Sequence, residues 1–116
     1  MNNHNHSRIK GNLAEQKAVA FLEHCGFSII NQNVFSRFGE IDIIATKDNV
    51  LHFIEVKSGV NFDPIHALTP KKMSRIQKTI ESYILENELT CAFCIDLVCV
   101  RGENYQDIEL FENVAF

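Results

Sequence analysis

The sequence predicts an α/β domain in the order α-β-β-β-α-β, with a mixed central sheet flanked by helices and a short strand after it. Three observations carry this. Apolar residues near the N-terminus recur at helical spacing. Two runs, 40–46 and 51–58, alternate like half-buried strands across a short polar turn. A capped amphipathic helix then leads into a strand that is apolar on both faces. A helical crossover after a three-strand meander makes the sheet mixed. The length of 116 residues suits one domain. It is expected over residues 9–116, after a polar tail at 1–8 that is read as mobile rather than as a metal-binding NHNH segment.

The first helix is expected from Asn12 to about His24, with Ala14, Ala18, Phe21, Leu22 and Cys25 on one face. Asn12 suits its N-cap, and Gly26 suits the left-handed position after its end. Glu15 stands three residues after Asn12. It reads as one half of a capping box or as an acid at the edge of the buried stripe. Phe27 to Phe35 is a first strand, broken at Ser36-Arg37-Phe38-Gly39. After the next two strands, GVNFDPIHALTP is a loop, in which Thr69 caps a second helix with Pro70 at its first position. Met73, Ile76, Ile80, Tyr83 and Ile84 form that helix's apolar stripe. Cys91 to Val100 follows as a central strand covered on both sides, and Asp107 to Phe111 as the last.

Composition narrows the class. Apolar residues make up 46% and charged residues 22%, ordinary for a globular protein. No apolar run reaches the roughly 18 residues of a membrane span, and MNNHNHSRIK lacks a secretory apolar core. A cytoplasmic protein with no membrane partner is expected. Cys91 and Cys94 have a C-x-x-C spacing that suggests zinc or redox chemistry. On a strand, however, positions three apart face opposite sides, so Cys25, Cys91, Cys94 and Cys99 are read as core residues. The net charge is −4, but residues 1–79 carry ten Lys/Arg against seven Asp/Glu, and residues 80–116 one against eight. The protein is no general polyanion binder. Any nucleic-acid contact falls to a local basic face, for which Lys71, Lys72, Arg75 and Lys78 are the candidates. Basic residues at a helix start oppose its dipole, so they serve something other than helix stability or simply form a solvated face.

Asp42, Glu55 and Lys57 are the unusual residues. If the hairpin closes through Asp48-Asn49, or through the four residues Lys47 to Val50, Asp42 faces Glu55 and Glu40 faces Lys57. Opposed residues share a face, with Cβ atoms about 4.5–5.5 Å apart. Ile41 and Ile43 then take the other face with Val56 and Ile54. Two carboxylates this close repel, and a divalent cation between them removes the repulsion. Carboxylate oxygens suit Mg2+ or Mn2+. The competing reading is an exposed charged hairpin in which Lys57 pairs with Glu40 or Glu55. Spacing alone leaves both open.

GEIDIIA followed by FIEVKS resembles the D…(E/D)-x-K signature of restriction-endonuclease-like nucleases. The chain is more closely similar to the YraN family of small uncharacterised bacterial proteins. The likeness runs through Gly11-Asn12, Ala14-Glu15, Gly26-Phe27, Asn33, Gly39 to Ala45, Phe53 to Lys57, Lys71-Lys72, Asp96-Leu97-Val98 and Asn113 to Phe116. It also resembles archaeal Holliday-junction resolvases, which share a helix glutamate, an aspartate and E-V-K in this order. The resemblance implies a restriction-endonuclease-like core and a metal-dependent phosphodiesterase site acting on DNA. In it Asp42, Glu55 and the Val56 carbonyl hold Mg2+ or Mn2+, Lys57 serves the attacking water or the developing charge, and Glu15 is a third acid. Lys71, Lys72 and Arg75 become phosphate contacts. Two departures stand out. Gly59 replaces an Arg usual in the family, and Val114 stretches the terminal Asn-Ala-Phe. A catalytically inactive nucleic-acid-binding or assembly module is the alternative, and a homodimer is compatible with either. Asp96 is read as a strand-buried carboxylate bonded to backbone or a basic side chain rather than as a fourth acid.

Overall fold

The computed structural model describes the backbone of residues 3–63 and 66–114, and the side chains of 13–63 and 66–114. Its elements are α1 (Asn3–His24), β1 (Ser28–Ser36), β2 (Gly39–Lys47), β3 (Val50–Gly59), α2 (Pro70–Glu86), β4 (Phe93–Arg101) and β5 (Asp107–Phe111). The strands form one mixed sheet in sequence order. β3 and β4 run parallel across the α2 crossover, and every other pair is antiparallel. Ala115 and Phe116, the end of the family-like terminal motif, lie outside the described residues, as do Met1 and Asn2.

Helix α1 begins at Asn3 rather than Asn12. Gly11 and Asn12 are weak helix formers, at a cost near 1 kcal/mol or less each, but neither blocks a helix. Asn12 therefore lies inside the helix, and neither its cap nor a capping box with Glu15 exists. The stop is where expected. Gly26 has φ 94, and Phe27 N–H donates to the Leu22 carbonyl at 3.0 Å, closing the helix end.

The β2–β3 hairpin has the expected register, Lys47 opposite Val50 through Ile43 opposite Ile54. It closes through Asp48 and Asn49, both left-handed at φ 53 and 66, which gives the twist-matched two-residue turn. Thr69 caps α2, its hydroxyl accepting from Lys72 N–H at 3.2 Å.

Each face of the sheet has its own core. On one, Ala14, Ala18 and Leu22 of α1 cover Ile43, Ile54, Val98 and Val100. The two alanines let the helix approach the sheet closely. On the other, Met73, Ile76 and Ile80 of α2 cover Ile44, Phe53, Leu97 and Cys99. Ile41, expected beside Ile43, belongs to the α2 side instead. The departure coincides with the end of the β2–β3 ladder, where β2 turns away from β3. β4 is buried on both faces from Ile95 to Val100. No helix among the described residues is long and apolar enough to cross a membrane.

Candidate active site

The β2–β3 ladder stops at Ile43 and Ile54, so Asp42 and Glu55 sit where two central strands part. Their side chains replace the missing rungs. Asp42 Oδ2 accepts the Val56 N–H at 2.7 Å, and Glu55 Oε2 accepts the Asp42 N–H at 3.4 Å. The strands open into a cleft of ≈ 260 Å³ between the sheet and α2. Asp42, Glu55, Val56 and Lys57 line it, with Glu40 and, from α2, Lys72 and Arg75. Glu40 does not face Lys57, because the ladder that would pair them has ended. It is paired with Phe35 of β1 and joins the acids.

Glu15 is not in the cleft lining but is tied to it. With its amide nitrogen turned toward the two acids, Asn33 donates to Glu40 Oε2 at 2.8 Å and to Glu15 Oε1 at 3.1 Å. Asn33 holds a left-handed φ of 53, a conformation that asparagine tolerates better than most residues. Lys71 does not line the cleft. Successive helix residues point about 100° apart, so the face that brings Lys72 and Arg75 inward leaves Lys71 in solvent.

The electrostatics are those of an uncompensated acid cluster. Burial pushes the Glu55 carboxyl up, and the neighbouring Asp42 pushes it further. Burial raises Asp42 as well, against the Val56 hydrogen bond that lowers it. Glu15 is pushed up to about 7, by burial and then by Asp42 and Glu40. Among the described residues, no ion pair reaches any of these four acids. Lys57 is exposed rather than paired with Glu40 or Glu55. The set offers hard oxygen donors, a lysine beside them and two cations opposite, which suits a divalent ion and a phosphate oxygen.

Arg37 and Phe38 at the rim carried no separable signal in the sequence, whereas Lys78 is one of the expected basic residues. Phe38, in the two-residue turn between β1 and β2, lines the cleft. Arg37 lies 4.9 Å and Lys78 5.4 Å from the centre of its ring. The turn is anchored to α2 by a relay. Phe38 N–H donates to Ser36 Oγ at 3.0 Å, Ser36 Oγ lies 2.8 Å from Thr79 Oγ1, and Thr79 donates to the Arg75 carbonyl at 3.0 Å. Gly59, where the resemblance implies an Arg, lies beside Arg101 of β4, whose guanidinium sits 5.5 Å over the Phe62 ring.

The cysteines divide. Cys99 is buried as expected and Cys25 is partly so, but Cys91 is exposed, because β4 starts after it at Phe93. Cys94 is half-buried beside His52 and Asp96. Asp96 stays out of the cleft. It accepts from Asn113 N–H at 2.9 Å and from His52 Nδ1 at 2.6 Å, a backbone and a basic partner as expected.

A mixed five-stranded sheet with a helix on each face, opening at its centre into an acidic cleft, is an α/β architecture compatible with the restriction-endonuclease-like class. Comparison of the sequence then places it more narrowly. Residues 14–100 match the model of "Uncharacterised protein family UPF0102". A UPF0102 protein of Helicobacter pylori strain HPAG1 is 50% identical over 112 residues, covering 97% of this chain and 96% of its own. UPF0102 proteins of Helicobacter hepaticus and Wolinella succinogenes are 48% and 47% identical over 109 residues, covering 94% of this chain and 96% and 98% of their own. The chain belongs to the UPF0102, or YraN, family.

Proposed function

We propose that the protein is a metal-dependent DNA endonuclease, hydrolysing phosphodiester bonds with a preference for branched or otherwise distorted DNA. The observation that supports it most is the convergence of Asp42 and Glu55, partly buried and without an ion pair among the described residues, where β2 leaves β3. A fold gains nothing from holding two acids together in this way. A cation-binding site does.

The residues fit Mg2+ or Mn2+. Asp42 and Glu55 supply carboxylate oxygens. Val56 gives its N–H to Asp42, and a strand residue's N–H and C=O point to the same edge. The Val56 carbonyl therefore points into the same gap as a third donor. Such an ion, when bound, supplies an acidified water and charge neutralisation for phosphate chemistry. Lys57 orients the attacking water or offsets charge building on the phosphoryl oxygens. Glu15 acts through Asn33 and Glu40 as an outer acid. Lys72 and Arg75, with Arg37 and Lys78 at the rim, hold the sugar-phosphate backbone, a contact that positions DNA without reading sequence. Among the described residues one cluster of this kind lines a cleft, so paired cuts in a duplex call for two protomers.

The test is cleavage of branched, flapped, nicked and single-stranded DNA with Mg2+ or Mn2+, beside Asp42→Ala and Lys57→Ala. Activity lost in both variants supports the reading. A folded protein that cuts nothing with either metal overturns it. Gly59, in place of the family's Arg, favours one other reading, a nuclease-fold module that binds nucleic acid or protein without catalysis. In that case Asp42→Ala leaves DNA binding unchanged or tightens it.

A further inference from the structure

We infer that His52, Cys94 and Asp96 form a second, separate cation site, one for a borderline transition metal of the Zn2+ class. Their donor atoms all lie within 4.8 Å of one another. Cys94 Sγ is 3.1 Å from His52 Nδ1 and 3.4 Å from Asp96 Oδ1, and His52 Nδ1 is 2.6 Å from Asp96 Oδ2. Tetrahedral zinc has bonds of about 2.0–2.3 Å, which puts its ligand atoms roughly 3.3–3.6 Å apart. Two of the three separations are close to that range, and the His–Asp contact needs to open by less than about 1 Å to reach it. Thiolate, imidazole and carboxylate together are a donor set for Zn2+ or Co2+ rather than for Mg2+.

The register explains how the cluster forms. His52 and Cys94 are direct partners on the parallel strands β3 and β4, and Asp96 lies two residues along from Cys94 on the same face. That is the α1 side of the sheet, away from the Asp42–Glu55 cleft. Phe27 covers the His52 ring edge-on at 4.9 Å. Cys94 is only half-buried, so solvent reaches the thiol edge of the cluster and can supply a fourth ligand. In the metal-free chain, protons hold the place of the ion. His52 Nδ1–H and the Cys94 thiol both point at the Asp96 carboxylate. On metal binding the thiol loses its proton to solvent and the imidazole carries its proton on Nε2. A divalent ion with one thiolate and one carboxylate is then neutral, as a largely buried site requires. Asp96 also holds the N–H of Asn113, so the ion would fasten β3, β4 and the segment after β5 together. Its role is structural.

The experiment uses the full chain, stripped with chelator and kept reduced with a phosphine, and Co2+ as the probe. The expected result is thiolate-to-cobalt charge-transfer absorption that saturates at one ion per chain and is displaced by Zn2+. It should be lost in Cys94→Ser and kept in Cys91→Ser. Asp42→Ala should also keep it, since the oxygen cleft has no sulfur, and this separates the site from the nuclease reading. If Cys94→Ser does not fold, wild-type protein decides the matter. Zn2+ should then raise its urea midpoint, and raise that of Asp42→Ala, which lacks the oxygen cleft, by as much. Absence of the sulfur band, its survival in Cys94→Ser, its loss in Cys91→Ser, or a urea midpoint of Asp42→Ala unmoved by Zn2+ each overturns the inference.

Discussion

The two faces of the sheet treat buried acid in opposite ways. On the α1 face, Asp96 is fully buried and fully partnered, by His52, the Asn113 N–H and the Cys94 thiol. On the α2 face, Asp42 and Glu55 are less deeply buried, yet each accepts only one backbone N–H, and Lys72 offsets Glu55 only in small part. Burial alone therefore does not mark a working carboxylate. The distinction is whether the surroundings satisfy the charge or leave it unsatisfied. The Asp96 cluster is stable as it stands and can accept an ion by exchanging protons. Its thiol is pushed up to about 12 by burial and by Asp96, so without an ion it is a poor nucleophile. The Asp42 cluster lacks such partners, and its carboxyls are pushed up by burial and by neighbouring acids.

The sharpest way to break the comparison is to remove one acid from each side. Asp42→Ala should lower DNA cleavage by roughly 1,000-fold, the scale of losing a main electrostatic contact to the reacting group. Asp96→Asn should leave the specific activity of the folded fraction nearly unchanged. If both variants lose activity equally, the division of labour between the faces is wrong. Stability should respond in reverse. Asp96→Ala strands His52 and the Asn113 N–H and should destabilise the chain by about 3 kcal/mol, seen as a lower urea midpoint. Asp42→Ala should cost far less at pH 8, because it also relieves repulsion.

The pH dependence sharpens the same contrast. Glu55 and Asp42 bind protons more tightly folded than unfolded, since burial raises both, with the charge of Asp42 adding to Glu55 and that of Glu40 adding to Asp42. Between the ordinary carboxyl range and the raised one, the folded chain keeps protons that the unfolded chain has released. Their contribution is therefore fully favourable at low pH and is lost as pH rises through that window. In metal-free protein, Glu55→Gln should stabilise at pH 8 by about 1 kcal/mol or more, the worth of one pKa unit. The gain should vanish near pH 4. Denaturant melts at the two pH values check it, and a gain independent of pH would show that repulsion is not the cause.

Much of this was readable from residue order. Alternation fixed which side chains share a face of the hairpin from Ile43 to Ile54, though not at Ile41, and Asp48-Asn49 is a pair that accepts the left-handed turn, so the β2–β3 register followed. Pro70 after Thr69 marked the start of α2. What was not readable depends on contacts between distant segments. Nothing local says that the ladder ends at Ile43, because Asp42 competes for the Val56 N–H only once β3 is beside it. The pairing of His52 with Asp96 needed the parallel register of β3 and β4, which periodicity does not supply. The start of α1 was misplaced because a polar residue that can cap a helix can also sit within one, and only the whole chain decides. Lys71 looked equivalent to Lys72 until the helix had a defined inward face.

The smallest effect tests whether the rim is part of the cleft or only near it. The turn carrying Arg37 and Phe38 is hydrogen-bonded to α2 through the hydroxyl pair Ser36–Thr79, beside the contact of Lys78 with the Phe38 ring. Thr79→Val keeps the shape of this buried side chain but removes its donor, and Ser36→Ala removes the other half. Each should cost about 1 kcal/mol, the net worth of an ordinary hydrogen bond. If the two hydroxyls act on each other, the double variant should lose less than the sum of the singles, by about 0.5 kcal/mol or more. DNA affinity should weaken a few-fold in either single variant, because Phe38 and the cations over its ring lose their fixed position against Arg75. Additive losses in stability would mean that the hydroxyls serve their own backbones separately. Unchanged DNA affinity beside coupled stability would confine the relay to folding and leave Phe38 outside the binding surface.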